Sequence, residues 1–181
     1  MYVAGFEAKP KSAKQKAWDI AATVCDPEIP VLTIEDLGIL RRVEVAEKYD
    51  GGSPASAVRV TITPTYSGCP AIDAIRDDLR AAFNKEGYPS VHVDLVLAPA
   101  WTTDWMTDAG KAKLREYGIA PPSGMAKAGG HSGPVRLSLA VKCPQCSSLN
   151  TKELTRFGST SCKALYVCQD CQEPFDYFKV L

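Results

Sequence analysis

Hydrophobic positions in the first part of the chain switch between the helical period and the strand period. The run at 11–24 has the helical period and is expected to end at the Asp26-Pro27 pair, because a residue before proline disfavours helical conformation. Its apolar stripe consists of Ala17, Trp18, Ala21 and Val24. The next segment, EIPVLTIEDLGIL, is apolar but rich in turn residues, which predicts an ordered loop with a short helix at 34–37.

A strand pair, a helix and a third strand are predicted after this loop. The runs at 41–47 and 57–63 alternate between apolar and polar residues, and the polar segment KYDGGSPAS between them suits a hairpin loop. A helix over 70–85 follows, and Gly87 is expected to stop it. The alternating run at 90–97 predicts the third strand.

A last helix is predicted over 107–117, with Thr107 as its N-cap and Gly118 as its stop. Strands that return after a helix indicate an α+β fold, in which helices cover one small sheet. The Gly-, Pro- and Ser-rich segment that follows lacks hydrophobic periodicity and predicts a linker. The chain is therefore divided into an α+β domain at 1–120, a linker at 121–134 and a cysteine-rich unit at 135–181.

The overall composition narrows the expected partners and compartment. Lys plus Arg and Asp plus Glu both total 21 of the 181 residues, so no net charge draws the chain to nucleic acid or to an anionic membrane. No apolar run approaches the ~20 residues that span a bilayer, and the N-terminal segment lacks the apolar region of a secretory signal. We therefore expect a cytoplasmic location, where clustered cysteines more often bind metal than form disulfides.

Two C-x-x-C pairs predict a metal site in the C-terminal unit. Cys143/Cys146 and Cys168/Cys171 are separated by 21 residues, and each pair fits a turn that directs two thiolates to one ion. Short strand-like runs between and after the pairs complete the pattern of an all-β zinc ribbon, a unit too small to be stable by apolar burial alone. Zinc is the expected ion, although iron in a rubredoxin-like site uses the same four ligands.

Charge argues against nucleic-acid binding by this ribbon. From position 135 onward it has six basic and four acidic side chains. A zinc ion with four thiolates carries a charge of about −2 and cancels that excess. We therefore expect a structural or protein-docking ribbon.

Two further cysteines belong neither to a C-x-x-C pair nor to the N-terminus of a predicted helix. Cys25 follows the first apolar stripe, and we place it in the core. Cys162 is interpreted as a buried or strand-edge residue, with a role in metal exchange as the alternative.

Cys69 lies in the segment TPTYSGCPA, between the second strand and the predicted helix at 70–85. Because Pro70 fits the first helical position, we place Cys69 at the helix N-cap. The helix end favours a thiolate by only ~0.3–1 kcal/mol, so the thiol stays mostly protonated at neutral pH without a second charge or a bound metal. A reactive or metal-binding Cys69 and a small buried Cys69 therefore both remain open.

Other catalytic patterns are missing from the sequence. His92 lies in a predicted strand and His131 in the predicted linker, and neither belongs to a Glu-x-x-His pair of the kind that binds di-iron in helical bundles. The sequence also has no G-x-G-x-x-G or Walker loop for a phosphate. We expect the chain to have no catalytic activity of its own.

Four motifs resemble a known family. DPEIPVLTIEDLGIL and TPTYSGCPA, in the order helix, strand pair, Cys-Pro helix and third strand, resemble the iron–sulfur assembly domain of the MIP family, which is also found in SufT-like proteins. LAPAWTTDWMTDAGKAKLREYGIAPP and the ribbon segment FGSTSCKALYVCQDCQEPFDYFKV extend the likeness to the PaaD (PaaJ) family, the D proteins of phenylacetyl-CoA epoxidase systems. The likeness runs from Lys14 to Leu181.

The resemblance implies an accessory role in bacterial phenylacetate degradation rather than the epoxidation itself. Such a protein would help to assemble the iron–sulfur cluster of the reductase or the di-iron site of the oxygenase. Cys69 would then be the transient ligand of iron or a cluster, assisted by Asp26 and Glu28. Helix termination and solvent exposure are the alternative for the two carboxylates. A non-catalytic interaction subunit of the epoxidase complex is the alternative function.

Two tryptophans are candidates for contact with a partner. Trp101 and Trp105 flank the segment TTD, and together they predict either an exposed docking site for an epoxidase subunit or packing of the last helix onto the sheet. The small sheet is also expected to have an exposed edge, which can pair with the edge of a second copy to form a homodimer.

Overall fold

The computed structural model describes residues 11–50, 53–123 and 140–181. The tip of the predicted hairpin loop and most of the predicted linker, including His131, lie outside the described residues. The predicted division into a domain at 1–120, a linker and a ribbon from 135 therefore stays a prediction.

Helices and strands follow one another in the predicted order. The helices are α1 (Ala13–Ala21), α2 (Ala71–Lys85) and α3 (Asp108–Glu116), and a 3-10 turn at Thr103–Trp105 precedes α3. The strands are β1 (Leu40–Asp50), β2 (Ser53–Ile62), β3 (Ser90–Leu95), β4 (Thr151–Thr155), β5 (Lys163–Cys168) and β6 (Pro174–Phe178). No helix in the described part of the chain combines the length and the hydropathy needed to cross a bilayer.

The first three strands form one mixed sheet in the order β1-β2-β3. β1 pairs with β2 in antiparallel orientation, whereas β2 pairs with β3 in parallel orientation because α2 carries the chain back between them. α1 contacts both β1 and α2, and α2 contacts β3. This arrangement confirms the predicted α+β fold with helices covering a small sheet.

The apolar stripe of α2 lies in the main core, as its helical spacing predicts. Its buried members are Ala71, Ile72, Ile75, Leu79 and Phe83. The sheet contributes Val43, Val60 and Ile62, which are all fully buried. α2 ends as expected, since Gly87 adopts a φ of 84°, a conformation that glycine tolerates at helix ends.

The loop before β1 contains consecutive turns rather than the short helix predicted at 34–37. The Asp36 carboxylate accepts hydrogen bonds from the backbone N–H (3.1 Å) and the hydroxyl (3.0 Å) of Thr33. These bonds fix a single closed turn, in which the Leu37 N–H donates to the Thr33 carbonyl (3.0 Å), and apolar spacing alone does not reveal them. Gly38 then turns the chain into β1 with a φ of 69°.

Two elements are shorter than predicted, and in each case a residue near the end of the element is exposed instead of buried. α1 ends at Ala21, and the chain has left the helix at Cys25, which is exposed rather than in the core. Cys25 instead forms an isolated antiparallel bridge with Thr33. β3 ends at Leu95, so Leu97 lies beyond the sheet and is 53% exposed.

The C-terminal unit forms a second, antiparallel sheet in the order β4-β5-β6 and packs against the first domain. Phe178 of β6 is 1% exposed within the main core, where its ring centroid lies 6.2 Å from that of Trp101. The Ala120 N–H donates to the carbonyl of Asp176 (2.8 Å), and the Phe178 N–H donates to the carbonyl of Ala120 (2.9 Å). The ribbon is therefore joined to the α+β domain by both backbone hydrogen bonds and a shared core.

Candidate metal centres

The two C-x-x-C pairs lie in similar turns at one end of the ribbon. In the first, the Cys143 N–H donates to the carbonyl of Ser148 (2.9 Å), and Ser147 adopts a φ of 65°. In the second, the Cys168 N–H donates to the carbonyl of Glu173 (3.0 Å), and Gln172 adopts a φ of 64°. A left-handed residue directly after the second cysteine of each pair folds the chain back, so that both thiols of a pair face the same point.

The four thiols converge as a tetrahedral site requires. The Sγ atoms of Cys143, Cys146, Cys168 and Cys171 all lie within 4.8 Å of one another. Across the two pairs, Cys143 Sγ lies 3.8 Å from Cys171 Sγ, and Cys146 Sγ lies 3.5 Å from Cys168 Sγ. A tetrahedral ion with Zn–S bonds of about 2.3 Å holds its sulfur atoms about 3.8 Å apart. The four cysteines therefore fit one zinc ion or an iron ion of similar size.

Neighbouring polar groups hold the two turns together. The Asp170 carboxylate accepts hydrogen bonds from the Ser148 hydroxyl and from Asn150 Nδ2 (2.7 Å). The Gln169 N–H donates to the carbonyl of Asn150 (2.8 Å). These bonds orient the ligand-bearing turns from outside the sulfur cluster, which is the usual role of groups around a metal site.

The thiols of this cluster differ in their pKa values. Hydrogen bonds from the backbone N–H groups of Cys171 and Asp170 lower the pKa of Cys168 to about 7, despite the burial that opposes them. The N–H of Glu173 acts in the same direction on Cys171, but burial and the neighbouring thiols outweigh it and raise the pKa of Cys171 to about 12. Crowded thiols resist losing all their protons together, and a divalent cation relieves that repulsion.

Cys69 lies just before α2, but not at the position that the sequence predicts. The N-cap of α2 is Pro70, so the prediction of Cys69 as N-cap is wrong by one residue. The thiol is half-buried. Burial raises its pKa, hydrogen bonds from the Ala71 N–H and the Thr65 hydroxyl oppose this shift, and the carboxylates of Asp26 and Glu28 add to it. The free thiol therefore stays protonated at neutral pH.

The structure brings Asp26 and Glu28 close enough to Cys69 to affect its ionisation. Asp26 is only 7% exposed, so its predicted alternative of solvent exposure is wrong. Its Oδ1 accepts hydrogen bonds from the backbone N–H groups of Glu28 (2.8 Å) and Ile29 (2.9 Å), which fixes the turn after α1. Burial raises the pKa of Glu28, the neighbouring Asp26 raises it further, and Lys163 of the ribbon lowers it.

The two candidate docking tryptophans differ in exposure. Trp101 is 5% exposed, and its Nε1 donates to the carbonyl of Leu37 (2.9 Å), so in this structure it packs in the core rather than presenting a docking surface. Trp105 is partly buried against that core, and the Arg41 guanidinium lies 3.6 Å from its ring centroid. A docking role for Trp105 stays a prediction.

The sequence does not predict where Cys162 lies in the fold. This cysteine precedes β5 and is 6% exposed, which agrees with its interpretation as a buried residue. It lies in the main core together with residues of the first domain, and Cys69 packs against that core. The FGSTSC segment signals a turn, but no local pattern shows which surface the turn contacts.

Comparisons with known proteins agree with both units. Residues 14–95 match the profile of iron-sulfur cluster assembly proteins, and residues 129–179 match that of the PaaD zinc beta ribbon domain. The putative D protein of the 1,2-phenylacetyl-CoA epoxidase of Escherichia coli K12 is 47% identical over 165 residues, which cover 91% of each chain. An Fe-S protein maturation auxiliary factor of Porphyromonas gingivalis W83 is 39% identical over 93 residues, which cover 51% of this chain and 81% of that protein.

A solved domain of unknown function, DUF59, from Bacillus anthracis superposes with a TM-score of 0.46 at 24% identity, covering 56% of this chain and 90% of that chain.

The fold and the four-cysteine cluster define a protein that joins an iron–sulfur cluster assembly domain to a metal-binding ribbon. The identity across almost the whole length of the E. coli protein is more specific. The chain belongs to the PaaD family, the D proteins of 1,2-phenylacetyl-CoA epoxidases.

Proposed function

We propose that this chain is a maturation factor of a phenylacetyl-CoA epoxidase, which delivers iron or an iron–sulfur cluster through Cys69. The observation that carries the proposal is a half-buried thiol beside two carboxylates, in the domain that matches iron-sulfur cluster assembly proteins. The relatives support the two parts of the proposal separately. One is named as a putative component of the epoxidase, and the other as an Fe-S maturation factor.

The chemistry at Cys69 suits a cargo that is held briefly. Because burial and the nearby carboxylates raise the pKa of the thiol, it keeps its proton until a metal displaces it. Glu28 is half-buried and close to Cys69, so it can supply a second, oxygen ligand or accept the thiol proton. A site with few protein ligands releases its ion more readily than the closed four-cysteine site of the ribbon.

In this proposal the ribbon has a structural role and does not carry the cargo. Zinc is the proposed ion, because four thiolates with no open position are typical of structural zinc sites. Metal analysis of the purified protein distinguishes zinc from iron.

Trp105 remains a proposed contact for the client, which is either the oxygenase or the reductase of the epoxidase. We also propose a cytoplasmic location and no binding of nucleic acid, and a homodimer remains open.

The test is a Cys69→Ala variant in cells that depend on the epoxidase for growth on phenylacetate. The variant is expected to fold, to keep its ribbon metal and to bind the other epoxidase proteins, but to leave them short of iron. Iron per oxygenase and per reductase, measured after purification from these cells, should fall severalfold together with ring epoxidation. Cys25→Ala is the matched control, because Cys25 is an exposed thiol to which the proposal gives no role.

The second candidate function is a non-catalytic interaction subunit. It is favoured by the large apolar side chains that the ribbon exposes, with Leu149 60%, Leu154 53% and Phe157 69% exposed. This function requires the surface and not the thiol. Full activity and full iron content with Cys69→Ala would therefore contradict the maturation role and support the interaction subunit.

A further inference from the structure

We infer that Arg115 of α3 and Lys142 of the ribbon help to retain the ribbon metal, because their positive charges offset the negative charge of the four thiolates. Neither residue is a metal ligand, so both act on the thiolates without binding the ion. The inference goes beyond the proposed function, in which only the four cysteines hold the ribbon metal. It gives the first domain, through Arg115, a part in holding that metal.

The end of α3 packs directly on the turn that carries the first C-x-x-C pair. A Cβ atom at Gly118, which follows α3, would lie 3.6 Å from Nε2 of Gln145, the side chain between the two cysteines of that pair. Ala120 is buried in one small cluster with the ligands Cys143 and Cys168. The last turn of α3 is therefore held against the metal-binding end of the ribbon.

A cleft of 230 Å³ lies between α3 and this turn. Arg115 lines it from the side of α3, and Lys142 and Cys143 line it from the side of the ribbon. The other described residues around the cleft are prolines, serines and an alanine, so none of them carries a negative side chain. The cleft thus brings two cations and one of the metal ligands to a single small space.

Neither cation is neutralised by a carboxylate in the described part of the chain. Lys113, on the same helix as Arg115, forms an ion pair with Asp36 at 2.6 Å. No ion pair among the described residues involves Arg115 or Lys142. Their charges are therefore free to act on the negative group across the cleft, which is the thiolate cluster.

The thiolate cluster needs such compensation. A divalent ion with four thiolates carries a net charge of about −2. The carbonyl end of α3 adds a partial negative charge on the same side of the ribbon. Cys143, the ligand that lines the cleft, is 1% exposed, so water screens its thiolate poorly. Arg115 and Lys142 together match the charge of the metal site, and the loss of either leaves part of it uncompensated.

The experiment measures how fast the zinc-loaded, full-length protein loses its metal to a chromogenic chelator. Arg115→Gln and Lys142→Gln should each speed the loss about two- to fivefold, as expected of exposed charges, and the double variant about tenfold. Added salt should shrink these differences. Arg156→Gln is the matched control, because Arg156 is exposed, forms no ion pair with a described residue and follows β4 at the end away from Cys168. It should leave the rate unchanged.

Two further variants of Arg115 separate charge from packing. Arg115→Lys should keep the rate near that of the wild-type protein, and Arg115→Glu should speed the loss more than Arg115→Gln. If the lysine variant loses zinc as fast as the glutamine variant, the side chain acts by packing and the inference is wrong. Unchanged rates, or an effect confined to one of the two cations, would also overturn it. None of these results bears on Cys69, so the cellular test of the proposed function stays independent.

Discussion

Asp36 connects the loop before β1 to α3, which is distant from it in the sequence. Its carboxylate accepts hydrogen bonds from Thr33, from the Thr107 hydroxyl (3.2 Å) and from the Lys113 ammonium (2.6 Å). Burial works against its charged form, but the hydrogen bonds from Lys113 and Thr33 outweigh burial and lower its pKa. The sequence shows Asp36 only as one acid in an apolar loop, because its partners on α3 become neighbours through folding alone.

We predict that Asp36→Asn destabilises the protein at neutral pH by about 1–3 kcal/mol, because an amide cannot accept a charged hydrogen bond from Lys113 with the same strength. The pKa of Asp36 is lowered in the folded state, so its contribution is complete above the unfolded pKa of about 3.9 and is lost as the pH falls through the lower, folded value. The difference in unfolding free energy between wild-type and variant should therefore shrink below about pH 4.

Urea unfolding at several pH values measures this difference. Asp108→Asn is the control, because Asp108 is fully exposed and lies 3.9 Å from Lys111 in an ion pair of small expected effect. Equal effects of the two substitutions, or a pH-independent effect of Asp36→Asn, would contradict the prediction.

Two glycines allow the loop before β1 to pack directly on the elements before and in α3. A Cβ atom at Gly38 would lie 2.4 Å from the carbonyl oxygen of Trp105, and one at Gly110 would lie 2.9 Å from the Asp36 Cβ. Contacts this close require backbone against backbone. Helix and strand periods predict the elements on either side, but this contact depends on how they dock, which the periods do not describe.

We predict that Gly38→Ala destabilises the protein more than Gly87→Ala. Both glycines have positive φ, at 69° and 84°, so each substitution carries the ~1–2 kcal/mol cost of a left-handed alanine. Only Gly38 meets a neighbour, since nothing lies within 4 Å of a Cβ at Gly87. The extra crowding should add about 1–3 kcal/mol, measured as the difference between the two urea unfolding free energies. Equal losses would show that the loop yields freely to the new methyl group.

On the scale of the whole molecule, the sequence predicts each unit better than their junction. Alternating strands, the α2 stripe and the C-x-x-C spacing are local patterns, so the α+β fold and the ribbon follow from them. The proximity of Cys162 to Asp26 and Glu28 depends on how the ribbon packs on the domain, and no spacing within either unit contains that information. The same limit applies to Phe178, which resembles a ribbon residue in sequence but lies in the main core.

This shared core makes the stability of the first domain depend on the ribbon metal. All three tryptophans (Trp18, Trp101 and Trp105) belong to the first domain, so tryptophan fluorescence reports its unfolding. A ribbon that loses its metal is expected to unfold, because structural zinc supplies roughly 10–16 kcal/mol of apparent binding energy in small zinc units. Phe178 would then leave its place beside Trp101, and losing a buried phenylalanine from a core costs about 3–5 kcal/mol.

We therefore predict that removing the ribbon metal with a strong chelator shifts the tryptophan-reported urea midpoint to a clearly lower concentration, although the first domain still folds. Adding zinc back should restore the midpoint. The Cys168→Ser variant should start at the low midpoint and show no further shift with chelator, which separates loss of the ribbon metal from any direct effect of the chelator. If the midpoint is the same with and without metal, the two units fold independently, and the contacts of Phe178 and Cys162 with the first domain contribute little to its stability.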